Sequence, residues 1–205
     1  MARKSRSWIK ERKRDHFYLK AKKEGYRSRA VYKLIEIDKR FKILRIGYKV
    51  VDLGAAPGGW LQYSAEVVGN KGFVIGVDIR EISPLPYENV ETIKMNVFDK
   101  ELEKVILEKA KSKVDVVLSD LSPNISGVWE VDVARNVEMC NKVIDLSNKV
   151  LRKNGKLIVK VFEGTDTNMV LKRLREKFSY VRLFKPSASR KGSSEMYAVC
   201  LGFRG

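Results

Sequence analysis

The chain has 205 residues, of which 44% are hydrophobic, so it can bury one core and is expected to form a single globular domain. Its formal net charge of +17 indicates a polyanionic partner such as nucleic acid. The sequence has no apolar run that could cross a bilayer, its two cysteines fit neither disulfide nor zinc spacing, and His16 is its single histidine; we therefore expect a cytoplasmic protein that binds neither membrane nor metal.

The positive charge is concentrated near the N-terminus. Residues 1–45 hold 17 Lys and Arg against 5 Asp and Glu, so +12 of the +17 falls there. A lysine-rich surface that is only solvated would carry both signs of charge, whereas this segment is one-sided. We expect residues 1–45 to be a basic arm with helices that binds RNA and packs on a core formed by residues 46–205.

Two short helices are predicted within this basic segment. The first spans Asp15–Lys23, and Ser28 is a candidate N-cap for the second, which carries apolar residues at helical spacing up to Phe41. Taken from the pattern alone, Lys33 in this helix is an ordinary exposed lysine. Three aromatic residues of the segment could stack on unpaired bases, namely Trp8, Tyr26 and Tyr32.

From Lys49 onward, strands and helices alternate. The predicted strands are Val50–Leu53, Phe73–Val77, Val90–Met95, Val114–Ser119, Leu157–Val161, Val181–Phe184 and Met196–Gly202. The predicted helices between them are Leu61–Val68, Glu101–Lys111, Val133–Leu151 and Asn168–Phe178. Such alternation predicts a doubly wound α/β fold with a largely parallel sheet and helices on both faces. Only residues 185–195 separate the last two strands, which is too short for a parallel crossover, so the last strand should be antiparallel.

A glycine-rich turn follows the first predicted strand and is typical of nucleotide binding. Gly54, Gly58 and Gly59 allow a sharp bend and a close approach of ligand to backbone. Asp78, just after the second strand, could accept the hydroxyls of an adenosine ribose. A dinucleotide loop has glycine at the position of Ala56, so the pattern favours S-adenosylmethionine over NAD. An NAD-dependent oxidoreductase on the same fold stays an alternative.

Lys160 is unusual because it lies within the otherwise apolar strand segment Leu157–Phe162. A buried lysine needs a partner, and the candidates are Asp120, at the end of the neighbouring strand, and Glu195, at the start of the last strand. At the strand's end such an amine could emerge into a ligand cleft and act as a general base. The alternative is a lysine whose head reaches solvent at the edge of the sheet.

Five separated segments of the sequence resemble one known family in the same order. The segments are Asp52-Leu-Gly-Ala-Ala-Pro-Gly-Gly-Trp60, Arg27-Ser-Arg-Ala-Val-Tyr-Lys33, Ser119-Asp-Leu-Ser-Pro123, Leu157-Ile-Val-Lys160 and Ser193-Ser-Glu195. The family is the FtsJ family of RNA ribose 2′-O-methyltransferases. This resemblance implies a Rossmann-like class I S-adenosylmethionine-dependent methyltransferase fold with a seven-stranded, mostly parallel sheet and an antiparallel last strand.

The resemblance also implies roles for particular residues. The family's catalytic tetrad falls on Lys33, Asp120, Lys160 and Glu195, which replaces the exposed-helix interpretation of Lys33. Its S-adenosylmethionine contacts fall on Gly58, Trp60, Asp78, Asn96 and Asp120, next to Gly54 of the turn. Similar bacterial members have Asp where this chain has Asn96, and an amide can both donate to and accept from the adenine edge. No metal is implied.

The expected reaction is methylation of a ribose 2′-hydroxyl in RNA. Lys160 would remove the proton, Asp120 would orient Lys160, and Lys33 and Glu195 would position the hydroxyl. The resemblance suggests a uridine in large-subunit ribosomal RNA as the substrate and a role in ribosome biogenesis, whereas related branches modify the tRNA anticodon loop. A non-catalytic RNA-binding module is a further alternative. We expect a monomer.

Overall fold

The computed structural model describes residues 15–164, 166–190 and 192–205. The helices are α1 (His16–Lys23), α2 (Val31–Phe41), α3 (Gly59–Val68), α4 (Leu102–Ala110), α5 (Trp129–Val150) and α6 (Thr167–Lys177). The strands are β1 (Lys49–Leu53), β2 (Phe73–Asp78), β3 (Val90–Lys94), β4 (Val114–Ser119), β5 (Leu151–Phe162), β6 (Phe178–Phe184) and β7 (Glu195–Phe203). Trp8, one of the aromatic residues expected to meet bases, lies outside the described residues.

The seven strands form one sheet in the order β3-β2-β1-β4-β5-β7-β6. Neighbours from β3 to β5 are parallel, and β7 is antiparallel to both β5 and β6. The α/β fold class and the antiparallel last strand predicted from the sequence are therefore confirmed. The strand order reverses between β1 and β4, and in open sheets of this kind that point is where ligands bind.

Apolar residues cover both faces of the sheet, which explains why the strand sequences are continuously apolar. On β1, Val51 and Leu53 enter a core shared with α4, α5 and α6. Val50, which points the other way, enters a second core with α2 and α3. A third, smaller cluster joins α1 to α2 and includes Tyr32. Helices on both faces thus hold the sheet, and the N-terminal helices pack on the same body.

Several predicted element ends differ from the structure, and three of them have an identifiable cause or pairing partner. Ser28 does not cap α2, which begins at Val31 without a side-chain cap. The Ser28 hydroxyl instead lies 2.5 Å from where a Cβ on Gly59 would stand, so it fills the gap at this close approach. Strand β5 begins at Leu151, which had been assigned to the preceding helix and pairs with Val114. Phe178, predicted as the end of a helix, begins β6 and pairs with Phe203.

Candidate active site

A cleft of about 560 Å³ opens at the carboxyl ends of β1, β2 and β4, where the strand order reverses. It is lined by Leu53, Gly54, Ala56, Val77, Asp78, Ile79, Arg80, Met95, Asn96, Val97, Phe98, Asp120, Leu121, Ser122, Asn124 and Met139. Four of the predicted cofactor residues are therefore brought together, namely Gly54, Asp78, Asn96 and Asp120. Gly58 and Trp60 are not part of this lining. The volume is in the range of small-molecule and cofactor sites.

The glycine turn forms the floor of the cleft and approaches the segment after β4. Gly54 has φ +80°, and a Cβ there would stand 2.9 Å from Leu121 Cδ2 and 3.2 Å from the Leu121 nitrogen. Only glycine fits both the backbone conformation and this space. Gly58 has φ +111° and directly precedes the first turn of α3. The turn is therefore a compact wall against which a ligand can lie close to the main chain.

Asp78 braces this turn and faces the cleft. Its Oδ2 accepts a hydrogen bond from the Ala56 backbone N–H over 2.9 Å. Its Oδ1 accepts from the Arg80 backbone N–H over 2.8 Å and pairs with the Arg80 guanidinium at 3.3 Å. A carboxylate offers about four lone pairs, so Asp78 keeps acceptor capacity for a hydroxyl group in the cleft.

Two exposed apolar side chains stand on the cleft wall, and the sequence analysis did not single them out. Ile79 is 64% exposed and Phe98 is 40% exposed, although both types are normally buried. Asn96 lies next to them, and its side-chain oxygen accepts from the Phe98 backbone N–H over 3.0 Å. An exposed apolar pair beside a polar amide is a suitable environment for a flat heteroaromatic ring. The sequence could have indicated Ile79 as a cleft residue by its position, since it directly follows Asp78.

Trp60 is buried next to the cleft and fixes α2. Its indole N–H donates to the Ala30 carbonyl over 2.8 Å, just before α2 begins. Its ring lies 5.8 Å from that of Tyr197, measured between centroids. Trp60 therefore connects the glycine turn, through α3, to the helix that carries Lys33.

A lysine–carboxylate cluster lies beside the cleft and comprises Lys33, Asp120, Lys160 and Glu195. Lys160 Nζ is 3.1 Å from Asp120 Oδ1 and 3.6 Å from Glu195 Oε1, and it donates to the Asp120 carbonyl over 2.9 Å. Lys33 Nζ binds the other Glu195 oxygen at 3.0 Å. The Lys160 side chain is only 4% exposed, so the solvent-facing alternative for this lysine is wrong.

Lys33 is likewise not the exposed helix lysine that the pattern alone suggested. Its side chain is 12% exposed and its ammonium also lies 5.6 Å from the centre of the Tyr197 ring. The sequence separation between Lys33 and Glu195 is 162 residues, so only the fold brings them together. The four tetrad positions named by resemblance therefore form one contiguous cluster.

Tyr197 is a further member of this environment that the sequence analysis missed. It stands directly opposite Lys160 on the antiparallel strand β7 and is fully buried. Its hydroxyl donates to Asp120 Oδ1 over 2.5 Å. Burial raises the pKa of Tyr197 well above its usual value, and the negative charge of Asp120 adds to this effect. The phenol therefore stays protonated and acts as a donor.

The electrostatics of the cluster keep both carboxylates ionised. Burial by itself would raise the pKa of Asp120, but the positive charges of Lys160 and Lys33 and the Tyr197 hydrogen bond lower it below its usual value. The pKa of Glu195 is lowered in the same way: burial opposes, and the charges of Lys160 and Lys33 prevail. Each buried ammonium is thus compensated by a nearby negative charge.

Two side chains of helix α5 form hydrogen bonds with the backbone at the end of β5. Asn136 is buried, and its side-chain oxygen accepts from the Phe162 backbone N–H over 2.8 Å, while its amide nitrogen donates to the Lys160 carbonyl over 3.4 Å. Cys140 also donates to the Lys160 carbonyl over 3.2 Å. Both cysteines are free and buried, so no disulfide joins them. The backbone that directly follows the Lys160 side chain is therefore fixed.

Asp52, at the end of β1, is fully buried, and neither of its carboxylate oxygens has a hydrogen-bond partner within the described residues. Burial raises its pKa well above the usual value, and the negative charges of Asp120 and Asp78 raise it further. Burial and the neighbouring negative charges therefore disfavour the ionised form of Asp52.

Two of the residues expected to contact RNA are engaged inside the protein. Tyr32 is buried, and its hydroxyl donates to Glu24 over 2.8 Å, so its predicted role as a base-stacking residue is wrong. Tyr26 donates to Glu66 over 2.8 Å and is partly exposed.

Over the described ranges, no group of His, Cys, Asp and Glu could hold a metal ion. In the same ranges, no helix has the length and apolarity that a membrane crossing needs.

Comparisons with known proteins agree with this geometry. A family model described as FtsJ-like methyltransferase matches residues 26–203. A Methanococcus maripaludis protein named ribosomal RNA large subunit methyltransferase E is 43% identical over 205 residues, which is 100% of this chain and 80% of the relative. A protein of the same name from Methanothermobacter thermautotrophicus is 42% identical over 198 residues, covering 97% of this chain and 94% of that protein. The crystal structure of a ribosomal RNA methyltransferase from Plasmodium falciparum has a TM-score of 0.80 at 30% identity and covers 88% of this chain and 100% of that one.

Proposed function

The chain belongs to the FtsJ-like methyltransferase family, and on that premise we propose that it methylates the 2′-hydroxyl of a uridine ribose in large-subunit ribosomal RNA, with S-adenosylmethionine as the donor. The names of the curated relatives support ribosomal RNA as the substrate class. One observation carries the choice of a hydroxyl acceptor. The amine of Lys160 is buried between two carboxylates beside a nucleotide-sized cleft.

The residues of the cleft fit S-adenosylmethionine. Asp78 would accept a hydrogen bond from one ribose hydroxyl of its adenosine, and from the second once the exposed Arg80 guanidinium moves off Oδ1. Ile79 and Phe98 would lie against the adenine, and the side-chain amide of Asn96 would meet the adenine edge. The glycine turn at Gly54 would leave room for the amino acid part. Gly58 and Trp60 do not line the cleft and would act indirectly, because Gly58 shapes the turn and Trp60 holds α3 in place. When bound, S-adenosylmethionine supplies a methyl group on a positively charged sulfur, which an oxygen nucleophile can attack.

Lys160 is the proposed base. A ribose hydroxyl is a weak nucleophile, so removal of its proton as the new bond forms increases the rate. Lys160 must be neutral to accept that proton, and it shares the Glu195 carboxylate with the amine of Lys33. Asp120 orients the amine through its side chain and its backbone carbonyl. Lys33 and Glu195 then position the hydroxyl.

RNA affinity would come mainly from the N-terminal segment, residues 1–45, packed on the methyltransferase core at 46–205. Exposed cations lie on its described helices, including Lys22 and Lys23 on α1 and Lys39 and Arg40 on α2. Such cations bind phosphates, which gives affinity and salt dependence but little choice of sequence.

Replacement of Lys160 by Ala tests the proposal. We expect incorporation of labelled methyl groups into large-subunit ribosomal RNA to fall by at least about 100-fold, the lower end of what a general base contributes. The thermal shift caused by S-adenosylmethionine should persist because Lys160 is not part of the cleft lining. Resistance of the labelled linkage to alkaline hydrolysis identifies methylation at the 2′-oxygen.

The matched control is Lys153→Ala, because Lys153 is an exposed lysine on the same strand. Its turnover should equal that of the wild type. Transfer RNA serves as a competing acceptor in the same assay, and NAD as a competing ligand in the thermal shift. Near-normal turnover of the Lys160→Ala variant would contradict the base role, and methylation of transfer RNA alone would contradict the ribosomal substrate.

A further inference from the structure

Exposed apolar side chains are concentrated in one segment beside the lysine–carboxylate cluster. Among the described residues, four of the large apolar side chains that remain exposed lie in residues 125–131, and they are Ile125, Val128, Trp129 and Val131. This segment follows Asp120 along the chain and includes the first three residues of α5. Surface apolar residues are usually scattered, so a local concentration indicates a contact surface.

Trp129 is stacked on another aromatic ring. Its ring centroid is 5.8 Å from that of Phe162, and the two planes differ by only 14°. Phe162 is buried, whereas Trp129 is 43% exposed. Because Phe162 packs against the indole from within the protein, we expect the exposed surface of Trp129 to lie on the side that faces away from the core. Nearly parallel rings with an open outer side can accept a third flat ring.

The pair stands at the position where substrate RNA would pass. Phe162 is two residues beyond Lys160 on β5, so the two side chains are on the same side of the sheet, about 7 Å apart along the strand. Phe162 is also directly opposite Glu195 in the β5–β7 register. A distance of this order is comparable to the spacing of neighbouring nucleotides in a single strand.

The segment that carries Trp129 is held in place by Asp132, which is buried. Asp132 Oδ1 accepts from the Ser126 backbone N–H over 2.7 Å and from the Ser126 hydroxyl over 2.8 Å, and its Oδ2 accepts from the Gly127 N–H over 3.3 Å. Arg135 donates to the Asn124 carbonyl over 3.0 Å. These bonds order the segment before any ligand binds, which reduces the entropy lost on binding.

We propose that Trp129, backed by Phe162, is a stacking platform for an unpaired RNA base next to the nucleotide whose ribose reaches Lys160. This inference rests on the proposed function and extends it to a specific contact with the substrate. A base is favoured over an apolar protein partner because the platform adjoins the site of the proposed ribose chemistry. Stacking is tolerant of sequence, so this contact would add affinity without choosing the base.

The test compares three variants of the full chain, Trp129→Ala, Trp129→Leu and Trp129→Phe, with a large-subunit ribosomal RNA transcript as the probe. Loss of one base–aromatic stack should raise the Kd and the KM for this RNA between about 5- and 150-fold in the Ala and Leu variants. The Phe variant should recover most of that loss, because it restores an aromatic face. Trp129→Leu keeps Phe162 covered, so a folded variant without an aromatic face is available.

Salt dependence separates stacking from a contact with phosphate. The slope of log Kd against log salt should be the same for Trp129→Ala and the wild type, because no charge is removed. Tyr180→Ala is the matched control, since Tyr180 is an exposed aromatic residue on the edge strand β6. It should leave the Kd for RNA unchanged.

The outcomes distinguish this inference from the proposed function. Wild-type affinity in Trp129→Leu would overturn the stacking platform while methylation of ribosomal RNA by the wild type still upheld the function. An equal loss of affinity in the Leu and Phe variants would also overturn it. If the wild type bound the RNA through Trp129 but transferred no methyl group to a ribose, the platform would stand as an RNA contact and the proposed reaction would fall.

Discussion

Tyr197→Phe would remove one buried hydroxyl and leave the aromatic ring in place. The hydroxyl donates to Asp120 Oδ1 over 2.5 Å, and hydrogen bonds to charged groups contribute about 1.5–3 kcal/mol. Asp120 keeps its ion pair with Lys160 at 3.1 Å, so we expect the lower part of that range, about 1.5–2 kcal/mol of unfolding free energy. For a chain of this size, that loss lowers the Tm by about 3–8 °C.

The same change should alter the pH dependence of stability. Burial raises the pKa of Asp120, whereas Lys160, Lys33 and the Tyr197 hydrogen bond lower it, so the folded state holds this carboxylate below its usual pKa. A lowered pKa contributes stability that is present above about pH 4 and is lost as the pH falls through the folded value. The difference in stability between the wild type and Tyr197→Phe should therefore be largest near pH 7 and decrease below about pH 4.

Urea unfolding at pH 7 and at pH 3.5 measures both effects, and steady-state methylation of ribosomal RNA measures the catalytic consequence. We expect kcat to fall by about tenfold, with the KM for RNA unchanged, because a less fixed Asp120 orients Lys160 less well. Tyr180→Phe removes a hydroxyl from an exposed tyrosine and serves as the control. A Tyr197→Phe protein with wild-type stability at pH 7 and wild-type kcat would refute the idea that this hydroxyl holds Asp120.

Two further substitutions have defined outcomes. Asp52→Asn should raise the Tm at pH 7. Burial raises the pKa of the Asp52 carboxyl, so above about pH 4 this group must take up a proton on folding, and the amide of Asn does not. Melting curves at pH 7 and pH 3.5 should show that the gain in Tm disappears in acid, and a lower Tm at pH 7 would argue that Asp52 is ionised. Asn136→Ala leaves the buried Phe162 N–H without its acceptor, so urea unfolding should show a loss of about 1–3 kcal/mol, and an unchanged midpoint would exclude this bond as a support for β5.

Much of the fold follows from patterns that the sequence displays. Strands buried on both faces are continuously apolar, and the glycine turn after β1 marks where the chain bends, so their order along the chain was predictable. The short connection before β7 also predicted its antiparallel direction. The wrong prediction of a helix cap at Ser28 has a structural reason. Ser28 has the composition of an N-cap, but its hydroxyl is placed against Gly59, a neighbour that lies in a later part of the chain.

Site residues that lie near strand ends could be predicted from the sequence. Site residues whose position depends on the register between two strands could not. Asp120 directly follows β4 and Lys160 lies near the end of the neighbouring β5, so their approach could be expected from topology. Tyr197 faces Asp120 only because β7 pairs with β5 in one register, and a shift of one residue would turn it to the opposite face. Trp129 is the first residue of α5, four residues before the predicted start of that helix, and no sequence pattern indicates that Phe162 lies beneath it.

The position of β7 has a consequence for the timing of folding. Of the seven strands of the sheet it is the last in chain order, yet it lies between β5 and β6, which are made earlier. A growing chain can therefore assemble the cleft at β1, β2 and β4 while Lys160 still lacks both Glu195 and Tyr197 as neighbours. The nascent protein would pass through a stage that has the cleft but not the complete lysine–carboxylate cluster, which forms only when β7 enters the sheet between β5 and β6.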